Sequence, residues 1–301
     1  MCLRFLSFII AIAICCVASC TRTEQPTFAE KHYIEPPKQV KIPASTTALR
    51  VCADPNNLPF SNKQGEGFEN KLANLIADDM HVPVEYTWWA QRRGFFRSTL
   101  KAGLCDVVMG VPSSFELAAT TQPYYRSTYV FVSRSDRNLN VQSFDDPALH
   151  SVKIGVQLVG DDGTNTPPVQ ALNNRGIIDN IKGYTLYGNY VEPNPPARII
   201  DAVVKKDVDV AVVWGPLAGY FAKKQHLPLA IQPVSPEIDL PYLPFVYDIS
   251  VGVRRGEDDL RAKIDDILTR RHSDVEKILD DYNIPRVTGP QAVTTAKKEV
   301  E

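Results

Sequence analysis

The sequence predicts an α/β fold of two lobes, each a mostly parallel sheet flanked by helices, with two crossover strands between them. Three observations carry this. From Leu49 onward, short β-branched runs alternate with helical patterns, the signature of a mainly parallel sheet. A second set of elements, beginning at Val152, repeats the plan of the first. Two long extended runs, 127–133 and 246–253, bracket that second set as connections between lobes would.

Leu49 to Ala53 forms the first strand, and the turn-rich loop from Asp54 to Phe60 follows it. Phe68, Leu72, Leu75 and Ile76 recur at helical spacing and make one apolar face. Val82 to Tyr86 reads as a strand that Pro83 places near an edge. A helix over 95–102 leads into a strand at 107–111. The second set runs through a strand at 152–156, a helix over 169–175 and a strand at 184–187. Pro195 and Pro196 open another helix, with Ile199, Ile200, Val203 and Val204 on its buried side. The continuous apolar run from Val208 to Val213 is a strand buried on both faces. Two amphipathic helices close the globular part, one on Leu260, Ile264, Ile267 and Leu268, the other on Val275, Ile278, Leu279 and Tyr282, with Ser273 as N-cap. Lobe 1 is thus expected over 49–131, lobe 2 over 132–244, a return to lobe 1 over 245–287 and a polar tail over 288–301.

The chain has 301 residues, 44% hydrophobic and 23% charged, enough to bury sizeable cores without metals or disulfides. Its 33 Lys+Arg against 35 Asp+Glu give a net charge of -2. That is no field for nucleic acid or an anionic membrane surface, so no nucleic-acid partner is expected.

In the first twenty residues Arg4 is the lone charge, and Phe5 to Val17 form an apolar run too short to span a bilayer comfortably. This is the pattern of a secretory signal. Val17-Ala18-Ser19-Cys20 resembles the bacterial lipoprotein cleavage box, which implies a signal peptide over 1–19 and lipidation of Cys20. A plain cleaved signal and an uncleaved anchor are the alternatives. Thr21 takes the place of the Asp that would retain a lipoprotein at the inner membrane. The expected location is therefore the periplasm, with contact to the outer membrane through the lipid anchor only. Residues 20–48, rich in Pro, Lys, Glu and Thr, read as a tether.

Export leaves Cys52 and Cys105 as the cysteines of the globular part. Two thiols in an oxidising compartment point to one disulfide; two separate buried thiols are the alternative. Metal binding needs more ligands at suitable spacing than this pair offers.

Four motifs occur in the order found in the type II periplasmic solute-binding proteins of family 3. Gly67-Phe68-Glu69-Asn70-Lys71-Leu72-Ala73 resembles that family's helix start, and Leu100 to Val107 resembles its "L-x-x-G-x-x-D-V". Pro123-Tyr124-Tyr125 is similar to its "P-Y-Y", and Ile154-Gly155-Val156-Gln157 to its "G-V-Q". Amino-acid binders of the family place an Arg nine residues before that Pro, where this chain has Ser114. They place an Asp near the position of Trp214-Gly215. Without those charges a buried zwitterion would go uncompensated, so amino-acid binding is not expected. Gln91-Arg92-Arg93-Gly94-Phe95, Thr121 to Phe131 and Gly160 to Pro168 are similar to the MxaJ/XoxJ-type proteins. The resemblance implies an accessory of a periplasmic PQQ-dependent methanol or alcohol dehydrogenase, acting in its maturation or activation. A lipoprotein box departs from the plainly secreted form of that subfamily.

Loops at strand ends line the cleft of open α/β sheets, which nominates Asp54, Phe60, Trp88, Arg92, Ser114, Gln157, Asp161, Thr164 and Trp214 for a ligand or partner. Trp88-Trp89 with Arg92-Arg93 would make an aromatic, cationic contact surface, or else one core and one surface Trp beside two solvated arginines. Gly160-Asp161-Asp162-Gly163 could suit a hard cation, but it lacks the alternating ligands of a calcium loop and reads as a turn before a helix. Tyr242 to Tyr247 reads as hinge or core, with an exposed hydrophobic patch for a partner as the alternative. None of the five histidines falls in a cleft loop beside a nucleophile. Glu69 and Glu116 are the candidates for a general acid, and both have bland readings: Glu69 in the first turn of a helix, Glu116 in solvent. No catalytic residue, cofactor or metal is expected. The other functional reading is a solute receptor of an ABC importer, holding a neutral or aromatic ligand between Phe60, Trp88 and Trp214.

Overall fold

The computed structural model describes residues 43–159 and 164–288. In chain order the elements of lobe 1 are β1 (Leu49–Ala53), β2 (Asn56–Asn57), β3 (Ser61–Asn62), α1 (Phe68–Met80), β4 (Val84–Trp88), α2 (Phe95–Ser98), β5 (Val107–Pro112), β6 (Ala119–Thr120) and the long β7 (Tyr125–Arg134). Lobe 2 adds β8 (Ile154–Val159), β9 (Thr164–Asn165), α3 (Pro167–Asn174), β10 (Ile181–Thr185), α4 (Arg198–Val204), β11 (Val210–Trp214), α5 (Gly215–Lys223), β12 (Leu229–Pro233), β13 (Ile238–Asp239) and β14 (Leu243–Pro244). The chain returns through β15 (Val246–Val253), α6 (Asp258–Arg270) and α7 (His272–Asp281).

Hydrogen bonds link the main strands in the order β10-β8-β11-β7-β15-β5-β1-β4. Each lobe is built on a parallel trio, β4-β1-β5 in one and β10-β8-β11 in the other, extended by antiparallel strands. The strand β7 makes the crossing. Its residues up to Thr128 pair with β15, and from Tyr129 onward it pairs with β11 and β12. A continuous apolar run suits such a position because both faces are covered. Phe131 and Val212 go to one core of lobe 2, while Val130, Val132, Ala211 and Val213 go to the core on the opposite face, following the two-residue period of a strand.

In lobe 1, α1, α6 and α7 cover one face of the sheet around Phe68, Leu72, Ile264 and Leu279. The opposite face has a smaller cluster of Cys52, Phe95, Leu100, Cys105, Val108, Val111 and Ala118. Cys52 and Cys105 are joined there by a disulfide with Cα atoms 5.5 Å apart. The bridge closes a loop of 53 residues and reinforces a face with little apolar burial. Replacing both cysteines by alanine is expected to lower stability by about 2–4 kcal/mol, read as a shift of the urea midpoint. A loss below about 1 kcal/mol would show that packing alone holds this face.

Three expectations need correction. The helix expected over 95–102 is the single turn Phe95–Ser98, ended at Thr99, whose hydroxyl donates back to the Phe95 carbonyl. The strand expected at 184–187 lies at Ile181–Thr185 instead, paired with β8. Ser273 is not an N-cap: α7 begins at His272, directly after α6, and Arg271 occupies the cap position. The Arg271 carbonyl already accepts from the Asp274 and Val275 amides, so the chain turns without leaving a capped break.

Candidate functional site

The C-terminal ends of β1 and β4 deliver two loops to the junction of the lobes. Asp54 follows β1 and is fully buried. Its carboxylate accepts hydrogen bonds from the Asn56 amide at 2.9 Å and the Gln91 amide at 2.8 Å, so it ties both loops together. Burial pushes its pKa above the usual range, against the opposing effect of these amides and of Arg92. At the end of β4, Trp88 stacks on Tyr86 with ring centroids 4.4 Å apart and an interplanar angle of 12°. The Trp89 amide donates to the Ala53 carbonyl, and its ring stays 46% exposed.

A loop of lobe 2 closes over these residues. The Asn56 side-chain amide donates to the carbonyls of Asn189 at 3.0 Å and Glu192 at 2.8 Å, and Arg92 donates to the Gly188 carbonyl at 2.8 Å. Between the two rims lies a cavity of ≈ 990 Å³, lined among others by Trp88, Trp89, Arg92, Arg93, Tyr190 and Val191. Tyr190 and Val191 are accessible at its edge, 51% and 94% exposed.

A separate aromatic group lies where the end of β11 meets lobe 1. Trp214, at the end of β11, meets Tyr129 at 5.3 Å and Tyr247 at 5.9 Å and packs onto the lobe 1 core. Phe60 lies 5.5 Å from Phe68. Gln157 is buried, and it tempers the rise that burial causes in the Tyr187 pKa. Glu69 is buried, 8% exposed, and this burial raises its pKa to about 8.

Of the nominated residues, then, Trp88 and Arg92 line the cavity, while Asp54, Phe60, Gln157 and Trp214 do not. Ser114 is exposed in the turn after β5 and does not line the cavity. Thr164 belongs to β9, paired with Val159. Asp161 and Cys20 lie outside the described residues. Sequence reading missed the lobe 2 loop 188–192 and the environment of Glu69. The signal for the second was Gly110, a glycine in mid-strand, which marks a bulge or a close approach. Glu116 is exposed. Among the described residues, no three His, Cys, Asp or Glu side chains are grouped so that they could hold a metal ion. No helix among them is long and apolar enough to cross a membrane.

The model of the bacterial extracellular solute-binding proteins, family 3, matches residues 49–284. Protein MoxJ of Methylorubrum extorquens is 31% identical over 249 residues, covering 79% of this chain and 81% of its own. Protein MoxJ of Paracoccus denitrificans is 32% identical over 257 residues, covering 80% and 90%. The crystal structure of the periplasmic binding protein XoxJ from Methylobacterium extorquens AM1 superposes with a TM-score of 0.66 at 33% identity, over 80% of this chain and all of that one.

Proposed function

The chain belongs to the bacterial extracellular solute-binding proteins of family 3, and from that premise we propose that it is a non-enzymatic periplasmic accessory of a PQQ-dependent methanol or alcohol dehydrogenase. In this reading it docks on the enzyme through the rim cavity and assists its maturation or activation. One observation carries the reading: Gln91-Arg92-Arg93-Gly94-Phe95, a segment shared in kind with the MxaJ/XoxJ-type accessories, is the segment that places Arg92 and Arg93 beside Trp88 and Trp89 in the cavity wall. Exposed aromatic rings next to arginines are the composition of interface hot spots. The relatives named MoxJ and XoxJ support the same assignment. Export through the leader at 1–19, with Cys20 as lipid anchor, would keep the protein in the compartment of such an enzyme.

The test is capture of a purified PQQ-dependent alcohol dehydrogenase by the protein, with enzyme activity assayed in its presence. Trp89→Ala combined with Tyr190→Ala, both on exposed rings, is expected to weaken capture at least about tenfold, the loss of roughly 1.4 kcal/mol or more that marks a hot spot. A folded wild-type protein that neither binds the enzyme nor changes its activity overturns the reading.

A further inference from the structure

Glu69 is a carboxyl with no counterpart. It stands in the first turn of α1, yet its side chain turns inward against β5 rather than out to solvent. A Cβ on Gly110 would come within 2.0 Å of Glu69 Oε1. Gly110 has φ +67°, and the pairing of β5 with β15 shifts register beside it. Such a bulge with a left-handed glycine is how a strand makes room for another group. No hydrogen bond or ion pair to the carboxyl is found among the described residues, and burial alone accounts for its raised pKa. The charged and titratable groups that face it are Tyr86 of β4, Tyr124 and Tyr125 at the start of β7, and Tyr187 of lobe 2, all of whose hydroxyls the Glu69 charge pushes upward. Asp54 acts on the same Tyr187. The Tyr86 and Tyr124 hydroxyls are buried and have no hydrogen bond of good geometry, the Asn70 side chain and the Gly110 amide being the polar groups beside them. The titratable groups around the carboxyl are thus phenolic or acidic.

We propose that Glu69 anchors a primary ammonium group, and that the surroundings of its carboxyl are a binding site for an amine without a carboxylate. A cation here would pair with a buried carboxyl that no described residue partners, among the rings of Tyr124 and Tyr125, and aromatic rings attract positive charge. A phenolic oxygen keeps an acceptor lone pair that could take one of its N–H groups. A ligand carboxylate would instead meet Glu69 and Asp54 and be repelled. The inference does not rest on the dehydrogenase reading.

Binding must ionise Glu69, so it must release a proton when the free carboxyl is neutral. Calorimetric titration of the whole protein with propylammonium chloride, in buffers of different ionisation enthalpy, reads this directly. Near pH 6 about one proton is expected to leave per ligand, and affinity is expected to tighten about tenfold per pH unit until the carboxyl titrates. Glu69→Gln keeps the shape of the neutral acid and should weaken binding at least about tenfold at pH 9. Acetyl-lysine amide in place of propylammonium separates the two sources of an ammonium group: tighter binding assigns the site to a lysine side chain, weaker binding to a free amine. Affinity independent of pH without proton release, equal affinity for propionate, or no binding at about 10 mM overturns the proposal. If the Gln variant fails to fold, proton release by the wild type still decides. Failure here leaves capture of the dehydrogenase untouched, so the two readings are tested separately.

Discussion

Asp106→Ala is expected to destabilise the protein by about 3–5 kcal/mol, the cost of leaving buried cations unpaired. Asp106 is 1% exposed and immediately precedes β5. One carboxylate oxygen accepts from Arg50 Nη2 at 2.6 Å and Arg254 Nη2 at 2.6 Å, and the other from Arg50 Nε at 2.8 Å and the Ser45 amide at 3.0 Å. Arg50 lies on β1 and Arg254 just past β15, so this single group pins three strands of the lobe 1 sheet. The hydrogen bonds that Asp106 accepts raise the Arg50 pKa, and a guanidinium is protonated at neutral pH even without them, so that arginine stays charged when its partner is removed. Alanine therefore leaves two guanidinium groups facing a cavity, and Arg254 has 11% side-chain exposure with which to find water. Asp106→Asn, which keeps one acceptor, should cost less. Urea denaturation at neutral pH provides the measurement. A loss under about 1 kcal/mol, typical of a surface pair, would show that solvent reaches both arginines. Replacing all three side chains by apolar ones of similar volume should recover most of the loss.

The elements legible in the sequence were those whose side chains obey one period. Leu49–Ala53 and Val246–Val253 are strands at the boundaries their β-branched runs indicate, and α1 follows the spacing of Phe68, Leu72 and Ile76. The helix α5 was not legible. Gly215, Pro216, Leu217, Ala218, Gly219 and Phe221 are all buried, so no polar stripe alternates with an apolar one, and the opening Gly-Pro imitates a turn. Its second glycine is needed for packing, because a Cβ on Gly219 would lie 2.0 Å from the Asn283 carbonyl oxygen. The hairpin of β13 and β14 and the partly exposed β12 likewise have no clean alternation. At the site, the rule that strand ends line the cleft located Trp88 and Arg92, since it depends only on topology. It could not locate Asn189 and Glu192, which reach the rim through backbone carbonyls that any residue could present. Glu69 was misjudged for a related reason: an acid in a first helical turn is ordinarily solvated at the dipole. Only the pairing of α1 with the bulge at Gly110 turns it inward.

Stability should fall as pH rises from about 4.5 to about 8, opposite to the trend a salt-bridged carboxylate gives. The folded pKa of Glu69 is raised from 4.5 to about 8 by burial. Between those values the native state holds a proton that the unfolded state has released, and stability then decreases with pH, at most by about 1.4 kcal/mol per unit for one group. The contribution is intact below the unfolded pKa and is lost as pH climbs through the folded one. Asp54, raised in the same direction by burial, adds to the fall. Asp79, Asp136 and Asp145 are held below the usual range by hydrogen bonds from Arg270, Arg134 and Arg175 respectively. Their contribution is present above the unfolded value and disappears only in stronger acid, so the stability maximum should lie on the acid side of neutrality. Denaturant midpoints from pH 5 to pH 9 test this. The wild type should lose several kcal/mol across the window, whereas Glu69→Gln, neutral throughout, should show a much shallower slope and exceed the wild type at pH 9. Parallel slopes for the two proteins would mean that Glu69 is hydrated and ionised in the folded state, with water or an opened cleft supplying the partner that α1, β5 and the surrounding tyrosines do not.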